Sequence, residues 1–176
     1  MDNLDDMDRR LLSALHGCGT DPRVAAAART LSRAGEHGGL WLVAGLAGAA
    51  MDRDRRGAWL RGTALTAGAH LVGMGVKRLV RRPRPRHVEP LVRTVGQHSF
   101  PSVHATSAVA AAFAYGALGA RPVPPLAAAM CVSRLVAGVH YPSDVAAGAA
   151  LGALTARLGS RWMLTPRLAN NRRPRP

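Results

Sequence analysis

Two stretches of this 176-residue chain restrict its fold more than any others. Gly38 to Met51 contains no charged residue, and Gly62 to Val76 contains only His70 as an ionisable group. Read as helices, such runs are apolar all round and have to be buried, either in a protein core or in lipid. Each is shorter than the ~20 residues that a membrane-spanning helix usually needs, but extension past snorkelling Arg side chains brings several to that length. Small residues recur at four-residue spacing in Ala112/Gly116/Ala120 and Gly148/Gly152/Ala156. That spacing lets helices approach closely in lipid. Mean hydropathy is only +0.01 and aromatics make up 4% of the chain, so membrane residence rests on these segments and not on bulk composition. The competing architecture is a soluble, Ala-rich helical bundle.

The punctuation between the runs orders the rest. Leu4, Met7, Leu11, Leu12 and Leu15 are spaced as on a helix, with charges between them, and predict an amphipathic surface helix over 4–16. Asp21-Pro22 opens a second amphipathic helix that runs to about Ala34, with Asp21 as cap and Pro22 in the first turn. Asp52-Arg53-Asp54-Arg55-Arg56 ends the first uncharged run, and the run after it leads to a helix end near Val80. Pro83 and Pro85 then force an extended loop that lasts to about Phe100. Pro101 marks the next helix start, with an Ala-rich run to Ala120. Arg121-Pro122 makes a turn, Pro124-Pro125 opens a helix to about Val139, His140-Tyr141-Pro142 makes a corner, and a last helix covers 143–158. The expected fold is all-α: a membrane-embedded bundle of about five transmembrane helices over 36–159. Amphipathic N-terminal helices over 1–35 precede it, and a basic disordered tail over 160–176 follows it.

The net charge of +14 comes almost entirely from Arg and suits an anionic partner: nucleic acid, lipid headgroups or a phosphorylated substrate. Cys18 and Cys131 are far apart and no CxxC occurs, which argues against a zinc site and against a disulfide framework. Residues 1–10 carry acidic and then basic side chains with no apolar core after them, unlike a signal peptide.

Three constellations carry chemistry. Lys77, in the last turn of its helix, is followed after six residues by Arg84-Pro85 in a proline-braced loop. Two cations at a fixed separation suit a phosphate dianion, although a positive cluster flanking a membrane helix looks the same. Pro101-Ser102-Val103-His104 stands at a helix start, where free amides and the helix dipole attract anions. Its bland counterpart is a capped helix with a surface histidine. Ser133-Arg134 is followed by His140 and Asp144. Arg134 offers a planar fork of donors to an oxyanion, and Asp144 could take the Nδ1 proton of His140 and leave Nε2 free as base or nucleophile. Taken alone, this stretch is equally a helix end with a snorkelling Arg, a turn His and an N-terminal Asp.

In order and spacing the three together resemble the type-2 phosphatidic acid phosphatase (PAP2) family, shared with vanadium haloperoxidases. The family signature is K-x6-RP, PSGH and SR-x5-H-x3-D. Here Lys77…Arg84-Pro85 and Ser133-Arg134…His140…Asp144 are intact, whereas the middle motif reads Pro101-Ser102-Val103-His104, with Val103 in place of Gly. The resemblance implies that His140 is the nucleophile and forms a phosphohistidine. Asp144 orients it, and His104 protonates the leaving group and then activates water. Lys77, Arg84, Ser102, the Val103 amide and Arg134 would hold the phosphate oxygens. It implies no metal and no cofactor, since cationic side chains do the electrostatic work. In a helical backbone Val103 keeps the needed amide with little strain; a positive φ would disfavour it.

Glu36 and His37 begin the first uncharged helix and, if the helices alternate across a bilayer, lie on the site's side as candidates for touching substrate. His70 and Cys131 read as packed core residues. The implied substrate is a lipid phosphate. Within the family the short Ala- and Arg-rich chain resembles bacterial enzymes acting on polyprenyl-linked phosphates, among them the decaprenylphosphoryl-phosphoribose phosphatases of cell-wall synthesis. Undecaprenyl diphosphate, phosphatidylglycerol phosphate and phosphatidate stay open as substrates. The alternatives are a haloperoxidase-like enzyme, or a basic membrane- or nucleic-acid-binding protein without catalysis. The latter has no need of His104, His140 and Asp144 at these spacings and lacks aromatic platforms, so nucleic acid is not the expected partner. The expected location is the bacterial plasma membrane. Both faces stay open for the site: with the catalytic cations between Lys77 and Arg93 set aside, the 53–56 cluster, Arg121 and the tail on the other side favour an outward site by the positive-inside rule, whereas a charged N-terminus on that same outer side argues for the reverse.

Overall fold

The computed structural model describes residues 2–94 and 96–165, and these form seven α-helices: α1 (Asp2–Gly17), α2 (Pro22–Ala34), α3 (Gly39–Met51), α4 (Arg56–Val80), α5 (Val103–Gly116), α6 (Val123–Val136) and α7 (Pro142–Leu164). The all-α expectation holds among them. Local chemistry sets most of the ends. The Asp21 carboxylate accepts from the Arg23 amide at 2.7 Å and the Val24 amide at 3.4 Å, with Pro22 in the first turn of α2. Ser102 caps α5 and accepts from the Ala105 amide, so Pro101 lies one residue before the cap and not at the first helical position. α5 ends at Gly116, four residues earlier than the Ala-rich run implies, because the chain turns through Gly119 at φ +87. α7 outlasts its expected end at 158 and continues to Leu164. Its last turn is pinned by Met163, only 2% exposed, and by Arg61, which donates to the carbonyls of Met163 and Thr165 at 2.9 and 2.8 Å. Of the basic tail, residues 166–176 lie outside the described residues.

α5 is the central helix, packed by α4, α6 and α7. Its inward residues are nearly all Ala, Ser and Thr, and Tyr115 donates from its buried hydroxyl to the Trp41 carbonyl at 2.9 Å. The stripe Gly148/Gly152/Ala156 of α7 is buried and faces the backbone of α5. A Cβ at Gly152 would stand 2.3 Å from the Thr106 carbonyl oxygen, and one at Gly148 would stand 2.4 Å from that of Ser102. No side chain fits between them. Gly148→Ala should therefore push α5 and α7 apart and cost about 1–3 kcal/mol, read as a lowered midpoint of thermal unfolding for the detergent-purified protein. An unchanged midpoint would contradict this packing.

Among the described residues no helix is long and apolar enough to cross a membrane. α3, α5 and α6 have 13, 14 and 14 residues, about 20 Å of helix against a hydrocarbon core of about 30 Å. α4 and α7 are longer but carry Arg56, Arg61, Lys77 and Arg78, and Asp144, Arg157 and Arg161, respectively. The expectation of about five transmembrane helices does not follow from these elements as they stand.

α1 departs from its sequence reading in a different way. Leu4, Met7 and Leu11 point outward, while Asp8 and Leu12 are buried at 4% and 0% exposure. The helix docks by Asp8, Leu12 and His16, whose Nδ1 lies 2.9 Å from the Val136 carbonyl oxygen.

Candidate active site

The loop between α4 and α5 folds back over the bundle instead of extending from it. Pro83 bridges to His98, the Ser99 amide donates to the Arg82 carbonyl at 2.7 Å, and the Leu91 amide donates to the Ala137 carbonyl at 3.0 Å. At the same end of the bundle α6 stops at Val136, and Gly138 at φ +70 reverses the chain. Val139 and His140 are thereby turned inward, both 2% exposed, just before α7 begins. The end of α4, the start of α5, the end of α6 and the start of α7 thus bring all three sequence constellations to one place.

His140 is held between two groups of opposite charge. Its Nε2 lies 3.5 Å from a terminal nitrogen of Arg84, and its Nδ1 lies 3.6 Å from Oδ2 of Asp144. Arg can only donate, so Nε2 presents its lone pair and the ring proton sits on Nδ1, on the side of Asp144. The separation from Asp144 is longer than a hydrogen bond, and Nδ1 has no hydrogen-bond partner. Burial, and then the charges of Lys77, Arg134 and Arg84, push the imidazole well below its ordinary pKa, so it rests neutral. Asp144 is fully buried and stays committed elsewhere: its Oδ2 accepts from the Tyr141 amide at 2.9 Å and its Oδ1 from Arg82 at 3.0 Å.

The cations share one property. Lys77 donates to the His98 carbonyl at 3.4 Å. Arg84 donates to the carbonyls of Val139 and Gly96 at 2.7 and 3.1 Å. Arg134, only 2% exposed, donates to the Ser32 hydroxyl and has an Nε without any partner. Among the described residues none of the three forms an ion pair. Three cations gathered in one place, Arg134 buried and Lys77 and Arg84 half-buried, and held only by neutral acceptors, form a cradle suited to a multiply charged anion.

The α5 N-terminus completes it. Ser102 is fully buried, and its amide donates to the Asp144 carbonyl at 2.9 Å, which ties the α5 start to the α7 start. Val103 is the first residue of α5 and does not adopt a positive φ, so the branched side chain sits in ordinary helical backbone and its amide faces the helix entrance. His104 has Nε2 at 3.3 Å from the Ser32 carbonyl, which only accepts, so Nε2 carries the proton. His140, Lys77 and Arg134 all lie within electrostatic reach of this ring.

Glu36 and His37 are exposed on the short turn between α2 and α3, with His37 at φ 53. That turn lies at the site end, since a Cβ on Gly35 would stand 2.8 Å from the His104 ring. No hydrogen bond joins either residue to the site among the described contacts. Three groups escaped the sequence reading: Ser32, which touches both His104 and Arg134, and the pair Asp8 and Arg82 beside Asp144. For Ser32 and Asp8 no local signal exists, because both reach the site from N-terminal helices. Arg82 was hidden among the other Arg residues of the 81–86 run. Among the described residues no group of three or more His, Cys, Asp or Glu is placed to hold a metal ion.

The family model described as PAP2 superfamily matches residues 58–167. The chain is 48% identical over 135 residues to a decaprenylphosphoryl-5-phosphoribose phosphatase of Mycobacterium tuberculosis (strain CDC 1551 / Oshkosh), covering 75% of this chain and 76% of that protein. It is 43% identical over 130 residues to the protein of the same name from Mycolicibacterium smegmatis (strain ATCC 700084 / mc(2)155), covering 72% of each. In fold it is similar to the first transmembrane PAP2 type phosphatidylglycerolphosphate phosphatase from Bacillus subtilis, with a TM-score of 0.76 at 22% identity over 92% of this chain and 87% of that one.

Proposed function

Since this chain belongs to the PAP2 superfamily, we propose that it is a membrane phosphatase that removes a terminal phosphate from a polyprenyl-linked substrate of the decaprenylphosphoryl-phosphoribose type. The observation that carries the reading is the cradle of Lys77, Arg84 and Arg134, three cations without a carboxylate partner, arranged around a neutral His140. The shared name of the mycobacterial relatives supports the polyprenyl class of substrate.

The cradle binds the phosphate dianion, and its negative charge lets His104 enter the reaction as imidazolium. The His140 Nε2 lone pair attacks phosphorus and the bond to the ester oxygen breaks; the His104 imidazolium, held through Nε2–H on the Ser32 carbonyl, protonates the departing alkoxide through Nδ1–H. Asp144 stabilises the His140 imidazolium as its ring becomes attached to phosphorus. His104, now neutral, takes a proton from water. The resulting hydroxide displaces His140 and releases inorganic phosphate. Lys77, Arg84, Arg134, the Ser102 hydroxyl and the Val103 amide stabilise the equatorial oxygens in both steps. In this scheme the cationic side chains do what a metal ion does in other phosphatases. Glu36 and His37, on the turn beside His104, contact the part of the substrate beyond the phosphate.

The bundle sits in the plasma membrane. Large apolar side chains point outward from every one of α3 to α7, including Val43, Leu71, Phe113, Val132 and Leu158. Its core is by contrast built of Ala, Gly and hydroxyl residues, an arrangement suited to lipid and not to water.

The test is phosphate release by the detergent-purified chain from a panel: a polyprenylphosphoryl-phosphoribose, a polyprenyl diphosphate, phosphatidylglycerol phosphate and phosphatidate. The first should be hydrolysed with the highest kcat/KM, at a rate unchanged by EDTA, and vanadate should inhibit competitively. Release from none of the four would overturn the phosphatase reading, and loss of activity in EDTA would overturn its metal-free chemistry.

A further inference from the structure

Arg82 lies between Lys77 and Arg84 in sequence but is bonded quite differently. One terminal nitrogen donates to Asp144 Oδ1 at 3.0 Å and to the Ser143 hydroxyl at 2.7 Å; the other donates to Asp8 Oδ2 at 3.0 Å and Asp5 Oδ1 at 3.2 Å. Its guanidinium carbon stands 4.3 Å from the centre of the Tyr141 ring. Where the three cradle cations have only neutral acceptors, both terminal nitrogens of this one are engaged, and three of their four acceptors are carboxylates. Its contact is with the residue that faces the nucleophile.

Asp8 holds that arrangement from the far end of the sequence. Its carboxylate is 6% exposed and accepts from Arg82, from the Ser143 amide at 3.0 Å and from the Ser143 hydroxyl. A buried carboxylate with this many donors is strongly fixed, and losing a partner leaves charge uncompensated. It also stands at the N-terminus of α7, where negative charge is favoured. The docking of α1 is consistent with this: the helix turns Asp8 inward together with Leu12 and leaves Leu4, Met7 and Leu11 exposed, so Asp8 shares in setting its rotation.

We propose that Arg82 is a positioning residue for the His140–Asp144 pair and that Asp8 of α1 holds Arg82 in place, which makes the N-terminal helix part of the active site. The inference rests on the reading of His140 as nucleophile. Arg82 fixes the direction of the Asp144 carboxylate and takes up part of its charge, which limits how strongly Asp144 pulls on the His140 ring proton. The other groups facing His140 are Lys77 from α4, Arg84 from the loop, His104 from α5 and Arg134 from α6. Replacing Arg82 leaves all of these unchanged and frees Asp144, so the imidazolium is stabilised and the nucleophile is protonated at higher pH.

The test is a double-mutant cycle on the full chain in detergent, with Asp8→Asn, Arg82→Gln and both together. Arg82→Gln should lower kcat about 10- to 100-fold with KM within about threefold, as losses of groups that orient a reacting residue do, and should move the acid limb of kcat/KM to higher pH. Arg82→Lys should recover part of the loss. Asp8→Asn should lower kcat about tenfold alone and change it less than twofold in the Arg82→Gln background, because the two act through one path. An acid limb that stays in place in Arg82→Gln, or effects of Asp8→Asn and Arg82→Gln that simply multiply, would overturn the proposal. Should Asp8→Asn not fold, the acid limb of Arg82→Gln decides. His140→Ala separates this from the parent reading: if that variant is inactive while the cycle fails, only the positioning role falls, and if it is active, the nucleophile assignment falls.

Discussion

His140→Ala is expected to abolish phosphate release, with kcat reduced on the order of 10⁴-fold or more, the scale seen when a covalent nucleophile is removed. Three observations make the loss large. The ring is 2% exposed, so water cannot readily stand in for it within the same cradle. Its Nε2 lone pair is turned toward Arg84, one of the proposed cradle cations, and its proton is on the side of Asp144. Burial and the surrounding cations keep it neutral, so the attacking form is present without prior deprotonation. The same substitution should leave vanadate binding weakened but measurable, because Lys77, Arg84 and Arg134 remain. The check is single-turnover phosphate release together with trapping of labelled phosphate on the protein: label on the parent chain, stable to base and lost in acid, and none on the variant. A variant with parent activity would remove His140 from the mechanism.

The sequence made this candidate site legible because the chemistry it offers is declared by residue type. Charged and titratable side chains inside Ala-rich helices are expensive unless they are used, so Lys77, Arg84, His104, Arg134, His140 and Asp144 stood out against their surroundings. The structure brings them to one end of the bundle. What stayed hidden depends on pairing across the chain. Asp8 is one of four aspartates within the first eight residues and, by spacing, has no more claim to burial than Asp5 or Asp6. Its partner Arg82 is 74 residues away. Periodicity assigned α1 an apolar face of Leu4, Met7, Leu11, Leu12 and Leu15, but a helix docked partly by an ion pair buries only part of that face, here Leu12 and some of Leu15. Ser32 was likewise invisible: a serine near a helix end signals a cap, and here it receives Arg134 and meets His104 instead. Helix termini were read less well than helix interiors. At α7 the extension to Leu164 comes from Arg61 of another helix bonding the last carbonyls, a contact that no local rule contains.

Arg134→Lys is expected to lower kcat/KM about 100- to 1,000-fold, the cost of removing one preorganised donor to an oxyanion. Net charge is conserved in this substitution, so the loss reports geometry. The Arg134 guanidinium is buried between α2 and α6, fixed through one terminal nitrogen on the Ser32 hydroxyl, with Nε unpartnered. A planar fork held in this way can meet two phosphate oxygens at once, whereas an ammonium is a single strongly hydrated point of charge. Lys is also unable to hold Ser32 and the phosphate with the same fixed angle between them, so His104, which shares Ser32 through its carbonyl, loses part of its support. If Arg134 acts mainly on the pentacoordinate state, kcat/KM and vanadate affinity should fall in parallel while KM changes far less. If it serves only to attract the anion, KM should rise and kcat should stay. A Lys variant within about threefold of the parent in both quantities would mean that charge alone suffices at this position, and the cradle would then be an electrostatic funnel and not a template for the reacting phosphate.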